Sequence, residues 1–141
     1  PVLEGRRPVV RDVLYGVYSG GTKPGMRSVK QGEWKLVKFD AMNGAVRETQ
    51  LFNLKDNPHE FLEQHHVPAV VALTGAKPAA HQRNLAGDPR HAAKLSEMEA
   101  LLLAEMRRLH DPWRLWKQPN DGLTPPPEPP AGAGKKKAKA E

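Results

Sequence analysis

The stretch that decides the fold is residues 26–40, MRSVKQGEWKLVKFD. Two runs with the composition of strands, 26–30 and 33–40, flank the dipeptide Gln31-Gly32. A glycine between two such runs is typical of a tight β-hairpin turn, because it adopts the positive φ angles that these turns require. We therefore predict two antiparallel strands that meet at this turn.

The second strand of this hairpin is apolar on both of its faces. Side chains alternate along a strand, so Trp34 and Leu36 share one face while Val37 and Phe39 share the other. A sheet in a small α+β domain needs cover on only one face. The pattern therefore predicts that the second face contacts a second partner, beyond whatever the chain itself provides.

Two more strands are expected, one on each side of the hairpin. Residues 14–18 form the first, followed by a Gly-rich loop at 19–25. Residues 46–54 form the last, after the turn dipeptide Asn43-Gly44. The sequence thus predicts a small antiparallel sheet of about four strands.

A long helix near the C-terminus is expected to cover this sheet. Asp88-Pro89 is an N-cap followed by proline at the first helical position, and Asp111-Pro112 is a stop signal. Side chains of one amphipathic stripe recur at spacings of three and four between them: Ala92, Leu95, Met98 or Glu99, Leu102, Met106 and Leu109. The fold class is therefore α+β. Residues 55–87 are expected to form a long irregular connection with one short helix.

The C-terminal end has the composition of a disordered tail. Residues 125–130 read PPPEPP, and residues 135–141 carry four Lys and one Glu. We predict a folded unit at 1–123 and a disordered Pro/Gly/Ala/Lys-rich tail at 124–141. This Lys run accounts for half of the net charge of +6, so the charge does not indicate a nucleic-acid partner.

Composition and motifs exclude several other classes of protein. The 141 residues include no Cys, which rules out disulfide scaffolds and thiol nucleophiles. The longest apolar stretches, such as 67–73, are too short to span a bilayer, so no membrane partner is expected. Asp56-Asn57 has calcium-binding side chains, but Pro58 directly after them favours a tight turn. The residues by themselves therefore define no catalytic or metal site.

The order of segments resembles one known family. The stretches RSVKQGEWKL at 27–36, LFNLKDNPHE at 51–60 and NLA at 84–86, together with PVLEG at 1–5, resemble the C-terminal subdomain of sulfatases of the alkaline-phosphatase-like superfamily. The likeness runs over residues 1–118. It implies that the sequence starts within a longer protein and that this part supports a catalytic domain.

The resemblance places the chemistry outside this chain. In such sulfatases a formylglycine, made from the Cys or Ser of a C/S-x-P-x-R motif, and a Ca²⁺ ion lie in the large N-terminal domain. This sequence has no such motif, so no catalytic residue, metal ligand or cofactor is expected in it. The implied partner is the N-terminal catalytic domain of a parent sulfatase, and the implied location is periplasmic or secreted. The chain alone is expected to be inactive.

The resemblance also suggests where substrate would lie. The loop after the first strand of this subdomain often borders the substrate cleft, which here is 19–27. Lys23 and Arg27 are its two cations, and we predict that they bind the anionic sulfated substrate. The alternatives are a solvated turn for Lys23 and a charge within the sheet for Arg27.

Two other functions remain open from the sequence. One is a standalone protein-interaction module with a weakly basic tail, which would present its second sheet face to another protein. The other is a weak nucleic-acid binder that acts through the Lys run at 135–141. A C/S-x-P-x-R motif encoded in frame upstream would favour the sulfatase, and a flat salt dependence of DNA binding would exclude the nucleic-acid binder.

Overall fold

The computed structural model describes residues 11–19, 24–113 and 115. Four antiparallel strands form one sheet in the order β1-β2-β3-β4. Their bounds are β1 Val13–Tyr18, β2 Gly25–Gln31, β3 Trp34–Ala41 and β4 Val46–Asn53. A short helix, α1 Pro68–Thr74, and a long one, α2 Ala92–Arg108, follow. The predicted α+β class, with about four strands and one long helix, is confirmed. The predicted tail at 124–141 lies outside the described residues.

The predicted hairpin is confirmed, but its turn lies one residue later than the predicted Gln31-Gly32. Gln31 of β2 lies opposite Trp34 of β3, which leaves a two-residue loop of Gly32 and Glu33. Gly32 has a φ of 55°, a conformation that costs glycine little and other residues more. The local sequence therefore fixes the register of the central strand pair.

The helical segment begins at the predicted cap, but the α-helix itself begins at Ala92 rather than at Pro89. The Asp88 carboxylate accepts a hydrogen bond from the Arg90 amide at 3.0 Å, and Pro89 opens a short 3-10 turn that leads into α2. The α-helix ends at Arg108, before the predicted stop at Asp111. His110 has a φ of 54°, so the chain has already left helical geometry before it reaches Asp111.

The main core lies between α2 and one face of the sheet, which we call the helix face. Its buried members come from β2, β3, β4, α2 and the segment after α2: Val29, Leu36, Leu51, Met98, Leu102, Met106 and Leu115. Trp34 packs against this cluster, as the alternation in β3 predicts. The predicted helical stripe is confirmed at its centre, but Leu109 is exposed because it follows the last residue of α2.

The opposite face, which we call the far face, has a smaller core of its own. Val37 and Phe52 are buried there together with Leu62, which belongs to the connection after β4. Phe39 packs against this cluster. The chain itself thus covers the centre of the far face, and a partner for this face stays a prediction.

The connection from 55 to 87 is irregular and contains the short helix α1, as expected. Asn84 ties its end to β4: the side-chain Oδ1 accepts from the Leu51 amide at 3.0 Å, and Nδ2 donates to the Thr49 carbonyl at 2.9 Å. The Leu85 amide also donates to the Leu51 carbonyl. The NLA stretch thus satisfies backbone groups at the outer edge of β4 and leads the chain into α2.

Candidate functional site

The site is built around Arg27, which lies on the helix face of β2. In the sheet Arg27 is opposite Val17 of β1 and Lys38 of β3. Its side chain is only 2% exposed. Removing a guanidinium from water is costly unless a countercharge and hydrogen bonds replace the solvent. The partners of Arg27 therefore define the local structure.

Asp111, which follows α2, supplies the countercharge. Its Oδ2 accepts from Arg27 Nε at 2.5 Å and its Oδ1 accepts from Arg27 Nη2 at 3.2 Å. The Tyr15 hydroxyl donates to Oδ2 at 2.5 Å, and the Trp113 amide donates to Oδ1 at 2.9 Å. The carboxylate thus accepts four hydrogen bonds and joins β1, β2 and the segment after α2 in one cluster.

The electrostatics of this cluster favour an ionised aspartate beside a neutral tyrosine. Burial raises the pKa of Asp111, but the hydrogen bonds from Arg27, Tyr15 and Trp113 outweigh burial and hold that pKa below its ordinary value. Burial, and then the hydrogen bond to Asp111, raise the pKa of the Tyr15 hydroxyl well above its ordinary value. Neither group is poised to exchange a proton near neutral pH, so the cluster is suited to holding a structure rather than to acid–base chemistry.

The other side of the Arg27 guanidinium holds the loop between β1 and β2. Arg27 Nη1 donates to the Pro24 carbonyl, to the Met26 carbonyl at 3.2 Å and to Ser19 Oγ at 3.4 Å. Ser19 Oγ itself donates to the Pro24 carbonyl at 3.2 Å. Arg27 therefore joins Ser19, which follows β1, to Pro24, which precedes β2.

An open hollow of about 460 Å³ lies over this cluster. It is lined by residues of β1, β2 and the segment after α2: Tyr15, Val17, Ser19, Arg27, Leu109, His110, Asp111, Pro112 and Trp113. Val17 and Leu109 are 52% and 46% exposed, which gives the hollow an apolar rim. Its charged groups are engaged with each other, so the hollow offers shape and apolar surface rather than a free charge.

The structure describes only one of the two residues that are predicted to bind substrate. Lys23 lies outside the described residues, so its role stays a prediction. Arg27 lies at the base of the hollow with its guanidinium directed to protein acceptors, and direct substrate contact by it also stays a prediction. Sequence reasoning missed Asp111 and Tyr15 as partners of Arg27. Asp111 was recognisable only as a helix-stop signal, and Tyr15 only as a strand residue.

A second buried cation lies beside Arg27. Lys38, opposite Arg27 in the sheet, is 4% exposed and donates to Glu99 of α2 at 2.7 Å. This ion pair joins β3 to α2. The helix face thus holds two neighbouring buried cations, each with a carboxylate partner.

The other polar motifs have structural partners. Asn57 is buried, and its side chain both accepts from the Phe61 amide at 2.8 Å and donates to the Phe61 carbonyl at 2.9 Å, which confirms the predicted turn. His91 packs on Trp34 with ring centres 5.6 Å apart.

Within 11–19, 24–113 and 115, no group of three or more His, Asp or Glu side chains is arranged to hold a metal ion. In the same part of the chain, no helix combines the length and apolarity needed to cross a bilayer.

The comparisons with known proteins give no family for this chain. No protein-family model matches it, and a search of curated proteins finds no significant match.

Proposed function

We propose that this chain is the C-terminal subdomain of a sulfatase, whose parent hydrolyses sulfate esters. The subdomain does no chemistry itself: it supports the catalytic domain and borders the substrate cleft. The support is the order of the sequence stretches given above, which runs through β2, β3, β4 and the approach to α2 in the same succession as the family resemblance requires.

The observation that carries the proposal is the set of contacts by which Arg27 joins Ser19 to Pro24, on either side of residues 20–23. Lys23 lies between them in the sequence. A cation in this stretch suits recognition of an anionic sulfated substrate, because an ammonium group forms charge-assisted hydrogen bonds with anionic oxygens.

The chemistry of the parent would come from elsewhere in it. The proposed partner is an N-terminal catalytic domain with formylglycine and Ca²⁺, which would supply the nucleophile and the electrostatic stabilisation of the leaving sulfate. The proposed location, periplasmic or secreted, rests on the same resemblance.

The experiment begins with the complete open reading frame that encodes this chain. We expect an in-frame C/S-x-P-x-R motif upstream and hydrolysis of 4-nitrophenyl sulfate by the complete protein with Ca²⁺. The isolated chain is expected to give no turnover with or without Ca²⁺. A reading frame without the motif, or turnover by the isolated chain, would overturn the proposal.

A second candidate function is a protein-interaction module with a weakly basic tail. It is favoured by Leu14 and Tyr18, two apolar residues of β1 that are 49% and 65% exposed. Both lie on the far face, beside the part that the chain covers itself. An upstream frame without a catalytic motif, together with self-association that is lost in Tyr18→Thr, would favour this function over the first.

A further inference from the structure

We propose that the outer edge of β1 pairs with the same strand of a second copy of this chain, so that two four-stranded sheets join into one continuous sheet. The paired residues are those of β1, Val13–Tyr18. The inference goes beyond both proposed functions, since it concerns assembly and requires neither sulfate chemistry nor an unrelated partner protein.

The two edge strands of the sheet differ in what their outer backbone groups contact. At β4, Asn84 and Leu85 form hydrogen bonds with the outer backbone of the strand. At β1, in the part of the chain that the structure describes, β2 pairs with one edge and no strand pairs with the other. A row of backbone N–H and C=O groups along such an edge is a template for a strand of another chain.

The composition of β1 favours pairing with a copy of itself. Edge strands that stay unpaired usually carry charges, prolines or bulges that prevent pairing. The sequence of β1, VLYGVY, has no charge and no proline, and its register with β2 runs without a bulge. Two copies of the chain carry the same net charge of +6, so a charged edge would repel its own duplicate, whereas an uncharged edge does not.

The sequence of β1 also fits itself in one register. A two-fold axis through Gly16, perpendicular to the sheet, places Leu14 of one copy opposite Tyr18 of the other, and Tyr15 opposite Val17. Leu14 and Tyr18 are 49% and 65% exposed, and in this register they cover each other on the far face. On the helix face an aromatic ring meets a β-branched side chain, which is a stabilising cross-strand pair.

The neighbouring registers fit less well. Moving the axis by one residue toward either end of β1 would place Tyr18 opposite Asp12 or opposite Gly16. The exposed side chains of Leu14 and Tyr18 then no longer cover each other. The axis through Gly16 is therefore the expected one.

The size of the interface predicts a weak dimer. Each copy contributes the six residues of β1, whereas each partner in a complex of standard size contributes roughly 20 residues. We expect a Kd of about 100 µM, so protein concentration is the variable that the experiment must change.

Sedimentation velocity of the full chain, between about 10 µM and about 1 mM, would measure this equilibrium. We expect a shift from monomer to dimer over this range. Leu14→Glu should raise the Kd by about tenfold or more, because its carboxylate would lose hydration opposite Tyr18. Leu73→Glu makes the same change of charge at an 87% exposed leucine of α1 and should leave the Kd unchanged.

Cysteine cross-linking tests the register, and it keeps the test independent of how well Leu14→Glu folds. The chain has no Cys of its own. An equal mixture of the Leu14→Cys and Tyr18→Cys chains should form a disulfide-linked dimer on mild oxidation, because opposite residues of antiparallel strands have Cα atoms about 5 Å apart. Each chain alone should cross-link far less, since its two cysteines would lie four residues apart along the strands, about 13 Å. A mixture of the Leu14→Cys and Leu73→Cys chains is the control for random collision.

Three results would overturn the inference. The first is a chain that stays monomeric up to about 1 mM. The second is a dimer that Leu14→Glu and Leu73→Glu weaken equally. The third is cross-linking of the Leu14→Cys and Tyr18→Cys mixture that is no stronger than in the control mixture.

The strand pairing and the proposed function fail in different ways. None of these measurements involves sulfate-ester hydrolysis, so a monomeric chain would leave the sulfatase proposal intact. Absence of hydrolysis by the complete protein would overturn the sulfatase proposal and leave the strand pairing intact.

Discussion

The two faces of the sheet are covered in different ways. On the helix face, α2 lays a regular stripe of apolar side chains over β2, β3 and β4, and this core is the larger of the two. On the far face, an irregular segment contributes Leu62 over Val37 and Phe52. Regular spacing made the first cover visible in the sequence. The second depends on one leucine in a stretch without periodicity, which no sequence pattern indicates.

The two faces also differ in how deeply their ion pairs are buried. Arg27 and Lys38 are nearly buried on the helix face, where each has a carboxylate partner. On the far face Lys35 and Glu60 form a 2.7 Å pair whose side chains are 27% and 34% exposed. Burial makes the helix-face pairs sensitive to loss of one partner, whereas solvent screens the far-face pair.

The largest expected loss of stability comes from truncating a buried leucine to alanine on each of the two faces. Leu51→Ala on the helix face should cost about 4 kcal/mol and Leu62→Ala on the far face about 2 kcal/mol, because the loop around Leu62 can collapse into the cavity more readily than the sheet can. Urea unfolding would give both values. Equal costs would mean that the far face is packed as rigidly as the helix face.

The second largest difference in stability between the two faces is expected when one partner of an ion pair is removed. Asp111→Asn should destabilise the fold by about 3 kcal/mol, since it leaves the buried Arg27 uncompensated. Glu60→Gln should cost about 0.5 kcal/mol or less, because its pair with Lys35 is partly hydrated. Similar losses in the two variants, measured by thermal and urea unfolding, would contradict the difference in burial.

Acid should remove the contribution of the helix-face pair. The folded-state pKa of Asp111 lies below its unfolded value, so its contribution is fully present above about pH 4 and is lost as the pH falls through the folded-state pKa. The stability gap between the unmodified chain and Asp111→Asn should therefore be constant near neutral pH and narrow below pH 4. A gap that widened in acid would show that this carboxyl is not stabilised in its ionised form.

The smallest effect on stability is expected at the exposed end of the far face. Leu14→Thr should change the free energy of unfolding by about 0.5 kcal/mol or less, because Leu14 is half exposed in β1. The same variant should reduce the binding of a hydrophobic dye, with Leu73→Thr, an 87% exposed residue of α1, as the comparison. Unchanged dye binding in Leu14→Thr would mean that this part of β1 is not an accessible apolar surface.

Local signals account for the parts of the fold that the sequence predicted. The hairpin turn at Gly32-Glu33, one residue later than predicted, joins strands that are neighbours in the chain, so a two-residue loop with glycine is enough to form it. The Asp88 cap likewise bonds to the amide of Arg90, only two residues away. These features depend on short-range chemistry, and their residue types are visible without knowledge of the rest of the molecule.

The candidate site could not be predicted in the same way. Arg27 was selected because it is a cation in a loop region, but its partner could have been any of 16 Asp and Glu residues. No rule of spacing connects a residue of β2 with one that follows α2. The pairing becomes visible only when the helix lies across the sheet and brings its C-terminal end to the start of β2.

The sequence by itself determined the α+β class, the central hairpin, the start of α2 and the apolar stripe that covers the helix face, because turn chemistry, capping and periodicity are local properties. Only the tertiary structure decided that Leu62 covers the far face and that Tyr15, Arg27 and Asp111 share one buried cluster. Both depend on contacts between segments far apart in the chain. Desolvation, which makes such a cluster specific, exists only once those segments have packed together.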